Sequence, residues 1–223
     1  MSLLIACEYS GRVRDAFHEK GYEAISCDLL PSETSGEHYQ GNVLDLLGLS
    51  KPRKYSASTP QVIPRKFNSM IAFPPCTYLC NSGVRWLFNE DGSRNKERWS
   101  LMEQGARFFK SLWEAPIPHI CIENPVMHKY AKEIIFGNTG KNYSQIIHPW
   151  MFGHTEKKAT CLFLKGLPPL AETNNVKKET DALPIKDQQK IHYMSPGPAR
   201  WRERSRTYAG IARAMADQWQ GII

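Results

Sequence analysis

Residues 3–28 read LLIACEYSGRVRDAFHEKGYEAISCD, and the order of patterns within this stretch decides the fold class. Residues 3–7 form an uninterrupted apolar run, which is typical of a short strand buried on both faces. Residues 12–20 carry apolar side chains at helical spacing, and residues 22–27 form a second predicted strand that is followed at once by Asp28. Strand, loop, helix and strand make a βαβ unit. We therefore predict a Rossmann-like α/β fold, with a mostly parallel sheet and helices on both faces.

The rest of the chain continues this alternation. Apolar runs predict further strands at 69–73, 119–122, 144–147 and 160–164, and amphipathic stretches predict helices at 96–114 and 210–219. Residues 29–68 are predicted to be mostly loop, whereas residues 166–199 are polar, contain proline and show no clear periodicity. A chain of 223 residues suits one α/β domain, so we predict a single domain over residues 1–223.

The composition is basic. Lys and Arg number 29 against 22 Asp and Glu, which gives a formal net charge of +7. Such a surplus favours a polyanionic partner, although many basic proteins bind no nucleic acid. Residues 51–66 carry basic side chains without an acid, and residues 200–206 combine four arginines with Trp201. Both clusters suit either a solvated surface or phosphate contact, and we take Arg202 and Arg204 as phosphate-binding candidates.

The six cysteines are not arranged as a disulfide framework. Four of them lie in or beside apolar runs: Cys7, Cys27, Cys121 and Cys161. That placement is typical of reduced core cysteines. The chain shows no secretory signal pattern and no apolar run near the roughly 20 residues that span a bilayer. We therefore predict a cytoplasmic protein with no membrane segment. We also predict no metal site, because Cys76 and Cys80 lack a second ligand pair at suitable spacing.

Two polar clusters directly follow predicted strands, at the sheet edge where open α/β sheets bind ligands. One is Pro74-Pro75-Cys76-Thr77, in which two prolines stiffen the chain that presents the cysteine. The other is Glu123-Asn124-Pro125, which places a carboxyl group where low dielectric can keep it protonated. Each cluster taken alone favours a structural role. A thiol and a proton-donating carboxyl at one edge, however, are the pair that pyrimidine activation requires.

The chemistry of that pair is covalent catalysis. Thiolate addition at carbon 6 of cytosine, with protonation at ring nitrogen 3, turns a poorly nucleophilic ring into an enamine. The enamine carbon 5 can then attack a methyl sulfonium. Loss of the proton from carbon 5 and expulsion of the thiol restore the aromatic ring.

The first βα turn suits a nucleoside-type methyl donor. It comprises Glu8, Tyr9, Ser10 and Gly11, and the glycine allows close backbone approach. Asp28, which follows the second strand, occupies the position of an acid that binds ribose hydroxyls. A turn with one glycine is a weak motif without these partners.

In this order and placement, the chain resembles the cytosine carbon-5 DNA methyltransferases, and its overall pattern is similar to compact members from phages and mobile elements. The specific part of the resemblance is the pairing of Pro74-Pro75-Cys76 with Glu123-Asn124. Further similar segments follow in unpermuted order at 4–11, 41–43, 152–158 and 206–212. The resemblance implies a methyltransferase fold, S-adenosylmethionine as cofactor and methyl transfer to cytosine.

The resemblance also implies the site residues. Cys76 would be the nucleophile and Glu123 would contact the target base. The implied cofactor-binding residues are Glu8, Tyr9, Ser10, Gly11, Asp28, Asn42 and Pro74. The implied substrate-binding residues are Pro75, Thr77, Asn124 and Lys158, to which the basic cluster adds Arg202 and Arg204. The chain departs from the family pattern because Asn42 replaces an Asp, Thr77 stands where Gln is common, and Lys158 is the nearest substitute for two arginines.

The substrate is less well determined than the nucleophile. The family inserts a long target-recognition region before its last motifs, but here only about residues 166–199 are available, too few for an independent domain. Cytosine in DNA, duplex or single-stranded, is the leading hypothesis. A free deoxycytidine nucleotide is the alternative that the short segment favours. A non-catalytic protein that binds cofactor or DNA on the same fold is the third.

Overall fold

The computed structural model describes residues 2–50, 65–197 and 200–223. The strands of this part of the chain are β1 (Ser2–Ala6), β2 (Glu23–Asp28), β3 (His38–Gln40), β4 (Ser69–Ala72), β5 (His119–Asn124), β6 (Gln145–Ile147) and β7 (Thr160–Lys165). The α-helices are α1 (Arg12–His18), α2 (Val43–Leu46), α3 (Lys96–Trp113), α4 (Lys129–Phe136), α5 (Lys177–Ala182), α6 (Ile185–Gln188), α7 (Lys190–Tyr193), α8 (Arg200–Ser205) and α9 (Ala209–Gln218). Short 3-10 helices span Asn81–Leu87 and Pro149–Met151.

The strands form one sheet in the order β3-β2-β1-β4-β5-β7-β6. Neighbouring strands from β3 to β5 are parallel, whereas β7 is antiparallel to both β5 and β6. The strand order reverses between β1 and β4, so the connections that leave these two adjacent strands run to opposite sides and leave a crevice at their carboxyl ends, the usual ligand position in such sheets. The predicted Rossmann-like sheet is confirmed.

Helices cover both faces of the sheet because the central strands are apolar on both sides. Leu3 and Ile5 of β1 point into a core built with α1 and α9. Leu4 and Ala6 of the same strand point into a second core built with α3 and α4. The buried indole of Trp219 donates to the carbonyl of Pro168 at 3.0 Å and so fastens the end of the chain to the first core.

Side-chain caps determine where the helices of the second core begin. The Asn95 carbonyl accepts from the backbone amide of Arg98 at 3.1 Å and caps α3. The His128 ring accepts from the backbone amide of Ala131 at the same distance and caps α4. The beginning of α4 is thereby held close to the end of β5, where the predicted chemistry lies.

The structure corrects several sequence expectations. Strand β5 continues through Glu123 and Asn124, because both residues pair with β7, so the acid ends the strand rather than following it. Residues 29–50 are mostly loop, as expected, but they also contain the three-residue strand β3 and the four-residue helix α2. Residues 166–197 contain three short helices without an amphipathic period long enough to detect from sequence.

Two other expectations concern particular positions. Cys7 is only half-buried, and it adopts a left-handed backbone with φ of 58° because the chain leaves β1 sharply at this point. Most of the basic stretch expected at residues 51–66 lies outside the described residues; within the described part, Arg65 pairs with Glu37 at 2.5 Å. No helix among the described residues combines the length and the apolar character needed to cross a membrane.

Candidate active site

The candidate site is assembled at the carboxyl ends of three adjacent parallel strands. The register aligns Ala6 of β1 with Ala72 of β4, and Ala72 with Ile122 of β5. The residues that follow these positions are therefore brought to one edge. They are the turn after β1, the proline-cysteine loop after β4, and Glu123 at the end of β5.

The proline-cysteine loop is held from both sides. Phe73 donates its amide to the carbonyl of Ala6 at 2.9 Å, and the Asn124 side-chain amide donates to the carbonyl of Pro74 at 3.3 Å. After Cys76 the chain turns, and the amides of Leu79 and Cys80 both point back to the Cys76 carbonyl. The backbone of Cys76 is fixed as a result, while its side chain stays partly exposed.

Among the predicted substrate-binding residues, Pro75 and Thr77 flank this cysteine and are exposed. Asn124 is fully buried, and it holds the loop through Pro74. Its carbonyl oxygen Oδ1 has no hydrogen-bond partner among the described residues. Buried polar atoms are rarely left unpaired, so this oxygen is a free acceptor at the base of the loop.

Glu123 and Lys158 dominate the electrostatics around the thiol. Burial, and then the nearby carboxylate of Glu123, raise the pKa of Cys76 to about 11, while the Lys158 ammonium opposes that rise. Burial also raises the pKa of the Glu123 carboxyl, against the opposing effects of Lys158 and of a hydrogen bond with Thr160. At neutral pH the arrangement therefore favours a protonated thiol, and burial makes the Glu123 carboxyl a weaker acid than an exposed glutamate, beside one cation.

Lys158 lies between this pair and the end of the chain. Its ammonium group donates to the backbone carbonyl of Arg204 at 3.3 Å and lies 5.9 Å from the ring centre of Tyr208. Glu123, Lys158 and Tyr208 line one small cavity of about 20 Å³, enough for about one water molecule. Tyr208 lies in the last segment of the resemblance, residues 206–212, but was not named as a site residue, and Thr160 was expected only as part of a strand; the tertiary structure brings both to the cavity.

The turn after β1 is fixed by Glu8. One carboxylate oxygen, Oε1, accepts from the Ser10 hydroxyl and from the Arg12 amide at 3.1 Å. The other, Oε2, is buried and lacks a hydrogen-bond partner in the described part of the chain. Burial is also the main reason why the pKa of Glu8 is raised. An unpaired buried acceptor at this edge is suited to a ligand that carries hydrogen-bond donors.

Gly11 has a positive φ of 75°, but the space beside it is not free. A Cβ at this position would lie 1.9 Å from the Thr34 hydroxyl and 2.9 Å from the Arg14 guanidinium. The glycine is therefore required by the approach of the chain's own side chains. A contact between Gly11 and a cofactor stays a prediction.

Arg14 is a structural residue that the sequence pattern missed. Its side chain is fully buried, and it donates to the Ser26 hydroxyl at 3.0 Å, to the Thr34 hydroxyl at 2.6 Å and to the Ser35 carbonyl at 2.7 Å. It also pairs with Asp15 at 2.8 Å. An arginine beside the apolar stripe of a short helix reads as a surface residue, so only the tertiary structure shows that it organises the loop after β2.

Asp28 is the last residue of β2, and Asn42 directly precedes α2. The Asp28 carboxylate accepts from the Leu30 amide at 3.0 Å, and burial raises its pKa. The side-chain carbonyl of Asn42 accepts from the Leu44 amide at 3.0 Å and caps α2. Leu29, next to Asp28, leaves 74% of its surface exposed, which places an apolar side chain beside the acid.

Helix α8, which carries most of the basic cluster of residues 200–206, is bonded to the turn after β1. The Tyr9 hydroxyl donates to the Arg202 carbonyl at 2.8 Å, and the Arg12 guanidinium donates to the Thr207 carbonyl at 2.9 Å. Arg206 makes two hydrogen bonds to the carboxylate of Glu33, at 2.6 and 3.1 Å. The side chains of Arg202 and Arg204 themselves are exposed.

The structure thus brings Cys76, Glu123, Asn124 and Lys158 together, and it places Glu8 and Asp28 at the same edge of the sheet. Arg202 and Arg204 reach this group through their backbone carbonyls, not through their side chains. Within residues 2–50, 65–197 and 200–223, no group of three or more His, Cys, Asp or Glu side chains is arranged to hold a metal ion.

No protein-family model and no curated protein sequence matches the chain. Solved structures to which it is similar include a protein described as a DNA modification methyltransferase encoded within an E. coli prophage, at 14% identity and a TM-score of 0.42 over 82% of this chain. The Entamoeba histolytica methyltransferase EhMeth and a DNMT2 mutant from Spodoptera frugiperda both match at 14% identity over 78% of this chain, with TM-scores of 0.39 and 0.35. The chain spans 55%, 57% and 54% of their lengths, respectively.

Proposed function

We propose that this protein is an S-adenosylmethionine-dependent methyltransferase that acts at carbon 5 of cytosine through a covalent adduct with Cys76. The observation that carries the proposal is the convergence of three side chains at one sheet edge. Cys76 stands on a braced loop and is under the electrostatic influence of both Glu123 and Lys158. The loop and the end of β5 are joined directly by the hydrogen bond from Asn124 to Pro74.

The thiol and the acid have separate roles in this proposal. The raised pKa of Cys76 means that the thiol must lose its proton before it attacks. The Cys76 thiolate forms the bond to carbon 6, and the buried Glu123 carboxyl delivers its proton to ring nitrogen 3, so the electron pair of the carbon 5–carbon 6 bond becomes available at carbon 5. Lys158 stabilises the negative charge that passes from sulfur to the Glu123 carboxylate. After alkylation, a base removes the proton on carbon 5, the carbon–sulfur bond breaks and the thiolate leaves. Ring nitrogen 3 then returns its proton to the Glu123 carboxylate, which restores both the neutral base and the acid.

The residues of the first two strand ends fit a nucleoside cofactor. Glu8 offers a buried carboxylate oxygen with no partner among the described residues, and Asp28 offers a half-buried carboxylate. Both are acceptors for the amino and hydroxyl groups of a nucleoside, and the exposed Leu29 adds an apolar surface. S-adenosylmethionine, when bound, supplies the methyl group that carbon 5 takes up.

DNA is the substrate that the charge favours, since the chain has a formal net charge of +7. A free cytosine nucleotide is a second candidate, because residues 166–197 contain only helices of four to six residues. Such short helices are poorly suited to reading a major groove, which requires several side chains on one rigid element.

The decisive experiment uses 5-fluorocytosine in place of the target base. Fluorine at carbon 5 cannot be lost as a proton, so the adduct between enzyme and base cannot break down. We expect incubation with S-adenosylmethionine and a 5-fluorocytosine oligonucleotide or nucleotide to give a stable adduct that peptide mass spectrometry assigns to Cys76. The Cys80→Ser variant is the matched control, because it removes a thiol from the same turn and should still form the adduct.

The Cys76→Ser variant should form no adduct and transfer no labelled methyl group, while its affinity for the cofactor stays within a few fold of the wild type. Comparison of duplex DNA, single-stranded DNA and deoxycytidine nucleotide as methyl acceptors then identifies the substrate. Full transfer by Cys76→Ser, or an adduct on another residue, would refute the assignment. Cofactor binding without transfer to any acceptor would identify a non-catalytic binding protein instead.

A further inference from the structure

A second cavity lies beside the candidate site, with a volume of about 560 Å³. This size is within the range of pockets that enclose small organic ligands. Its walls are the 3-10 helix Asn81–Leu87, the segment between β5 and α4 with the first turn of α4, and Tyr143. None of the residues assigned above to the cofactor, the nucleophile or the basic cluster lines it.

The charges around this cavity have one sign. Arg85, Lys129 and Lys132 line it, and no carboxylate side chain does. None of these three cations forms an ion pair within the described part of the chain. Lys157, Lys177 and Arg206, by contrast, are each neutralised by a carboxylate. A cavity lined by three cations without carboxylate partners attracts an anion.

The interior of the cavity is aromatic. Tyr130 lines it beneath Lys129, whose ammonium lies 5.0 Å from the ring centre. Phe88 and Trp99 pack against Tyr130 with ring centres 5.8 and 5.1 Å away, so its orientation is fixed before any ligand binds. Tyr143 supplies a second ring to the lining. Rings of this kind offer stacking surfaces to nucleic acid bases.

The cavity is connected to the loop of the nucleophile through the backbone. The Asn81 amide donates to the Val126 carbonyl at 2.8 Å, and the His128 amide donates to the Leu79 carbonyl at 3.0 Å. These bonds join the chain that leaves Cys76 to the chain that leaves Glu123. Asn81, at the cavity wall, is five residues beyond Cys76, so the two backbone positions are at most about 18 Å apart.

Anion-binding cations over aromatic surfaces match the chemistry of one nucleotide within a strand, which has a base and a phosphate on either side. We propose that this cavity binds a nucleotide of a single DNA strand that neighbours the target cytosine. This inference rests on the proposed function, which makes DNA the substrate. It adds the substrate class, a single strand whose unpaired bases are free to leave the stack. A paired duplex does not present the base face that such a cavity would cover.

The test compares two double variants with the same loss of charge. Lys129→Ala/Lys132→Ala changes the cavity, and Lys20→Ala/Lys96→Ala removes two exposed lysines that lie outside the cavity, the candidate site and the segment expected to recognise the target. The probe is a fluorescent thymidine oligonucleotide with one central cytosine, titrated at several salt concentrations. Thermal unfolding of each variant verifies that the fold is intact.

We expect the cavity variant to bind the oligonucleotide at least about tenfold more weakly, and the slope of log affinity against log salt to fall by about 1.4, as two lost phosphate contacts on a single strand predict. The control variant should change the affinity by less than about twofold. An abasic site next to the cytosine should weaken binding to the wild-type protein and have a much smaller effect on the cavity variant, because both changes remove the same contact.

Equal affinities of the wild-type protein and the cavity variant, or equal weakening by the control variant, would overturn the inference. It would also be overturned if the cavity substitutions weakened the binding of free deoxycytidine monophosphate but not the binding of the oligonucleotide. The outcome is independent of the proposed chemistry. If oligonucleotide binding depends on the cavity but no 5-fluorocytosine adduct forms, the binding site is supported and the methyltransferase activity is rejected. If the adduct forms but the cavity variant binds the oligonucleotide as tightly as the wild-type protein does, the activity is supported and the binding site is rejected.

Discussion

The reactivity of Cys76 is a direct measure of the electrostatics proposed for the site. Its pKa of about 11, against an ordinary 9.0, lowers the thiolate fraction at about pH 8 by roughly a hundredfold. A more basic thiolate is a better nucleophile, which returns about six- to tenfold of that loss in exchange with a disulfide. We therefore expect Cys76 to react with a small aromatic disulfide about tenfold more slowly at this pH than an unperturbed thiol of equal exposure.

The dependence on pH and charge sharpens this prediction. The thiolate is the protonation state that gains population as pH rises, so the rate should increase about tenfold per pH unit up to at least about pH 9.5, without a plateau. Lys158→Met removes a cation that lowers the pKa of Cys76 and should slow the reaction, whereas Glu123→Gln removes a carboxylate that raises it and should accelerate the reaction.

The assay follows modification of the Cys76 peptide by mass spectrometry, with Cys76→Ser as the blank. Lys178→Met, an equal loss of charge on the exposed helix α5, should leave the rate unchanged. A plateau below about pH 9 would show a depressed pKa and refute the reasoning. Acceleration by Lys158→Met would refute the assigned role of that cation.

Three further predictions concern the turn after β1. Arg14→Met should lower the free energy of unfolding by about 3 kcal/mol, because several buried acceptors lose a charged donor; a loss below about 1 kcal/mol in urea titration would contradict this. Gly11→Ala should cost about 2 kcal/mol or more, because φ is positive and the new Cβ meets Thr34, and Thr34→Ala should recover part of that loss; additive losses in the double variant would exclude the contact. The pKa of Glu8 is higher in the folded state, so its stabilising effect is complete below about pH 4 and is lost as pH rises. Glu8→Gln should therefore raise the melting temperature at neutral pH and lose this advantage in acid, and a lower melting temperature at neutral pH would count against it.

The sequence predicted the fold class well, for a physical reason. Residues 3–7, 69–73 and 119–122 are apolar without alternation, which only a strand covered on both faces tolerates, and each is followed by polar residues. Helix α3 is long and periodic, so its bounds were predicted within one residue. Strand β6 was predicted within one residue, whereas the three-residue strand β3 and the helices of four to six residues were missed, since their pairing and packing partners are distant in the chain.

The candidate site, too, could be predicted from the sequence only in part. Cys76 and Glu123 could be proposed from sequence, because each residue lies next to a strand end and parallel strands bring such ends to one edge. Their protonation states could not, because these depend on burial and on Lys158, which lies just before the antiparallel strand β7 and 35 positions beyond Glu123. The buried position of Arg14, the lack of space beside Gly11, and the unpaired oxygens of Glu8 and Asn124 likewise follow only from packing.

By itself, then, the sequence determined which chemical groups this protein has and at which edge of the sheet they gather, because the alternation of strands and helices specifies that edge. Only the tertiary structure decided how those groups are charged and what surrounds them. Desolvation and the distance to a neighbouring charge depend on residues that are remote in the chain. The cavity of Lys129, Lys132 and Tyr130 belongs to this second class, since its walls come from segments about 45 residues apart that backbone hydrogen bonds hold together.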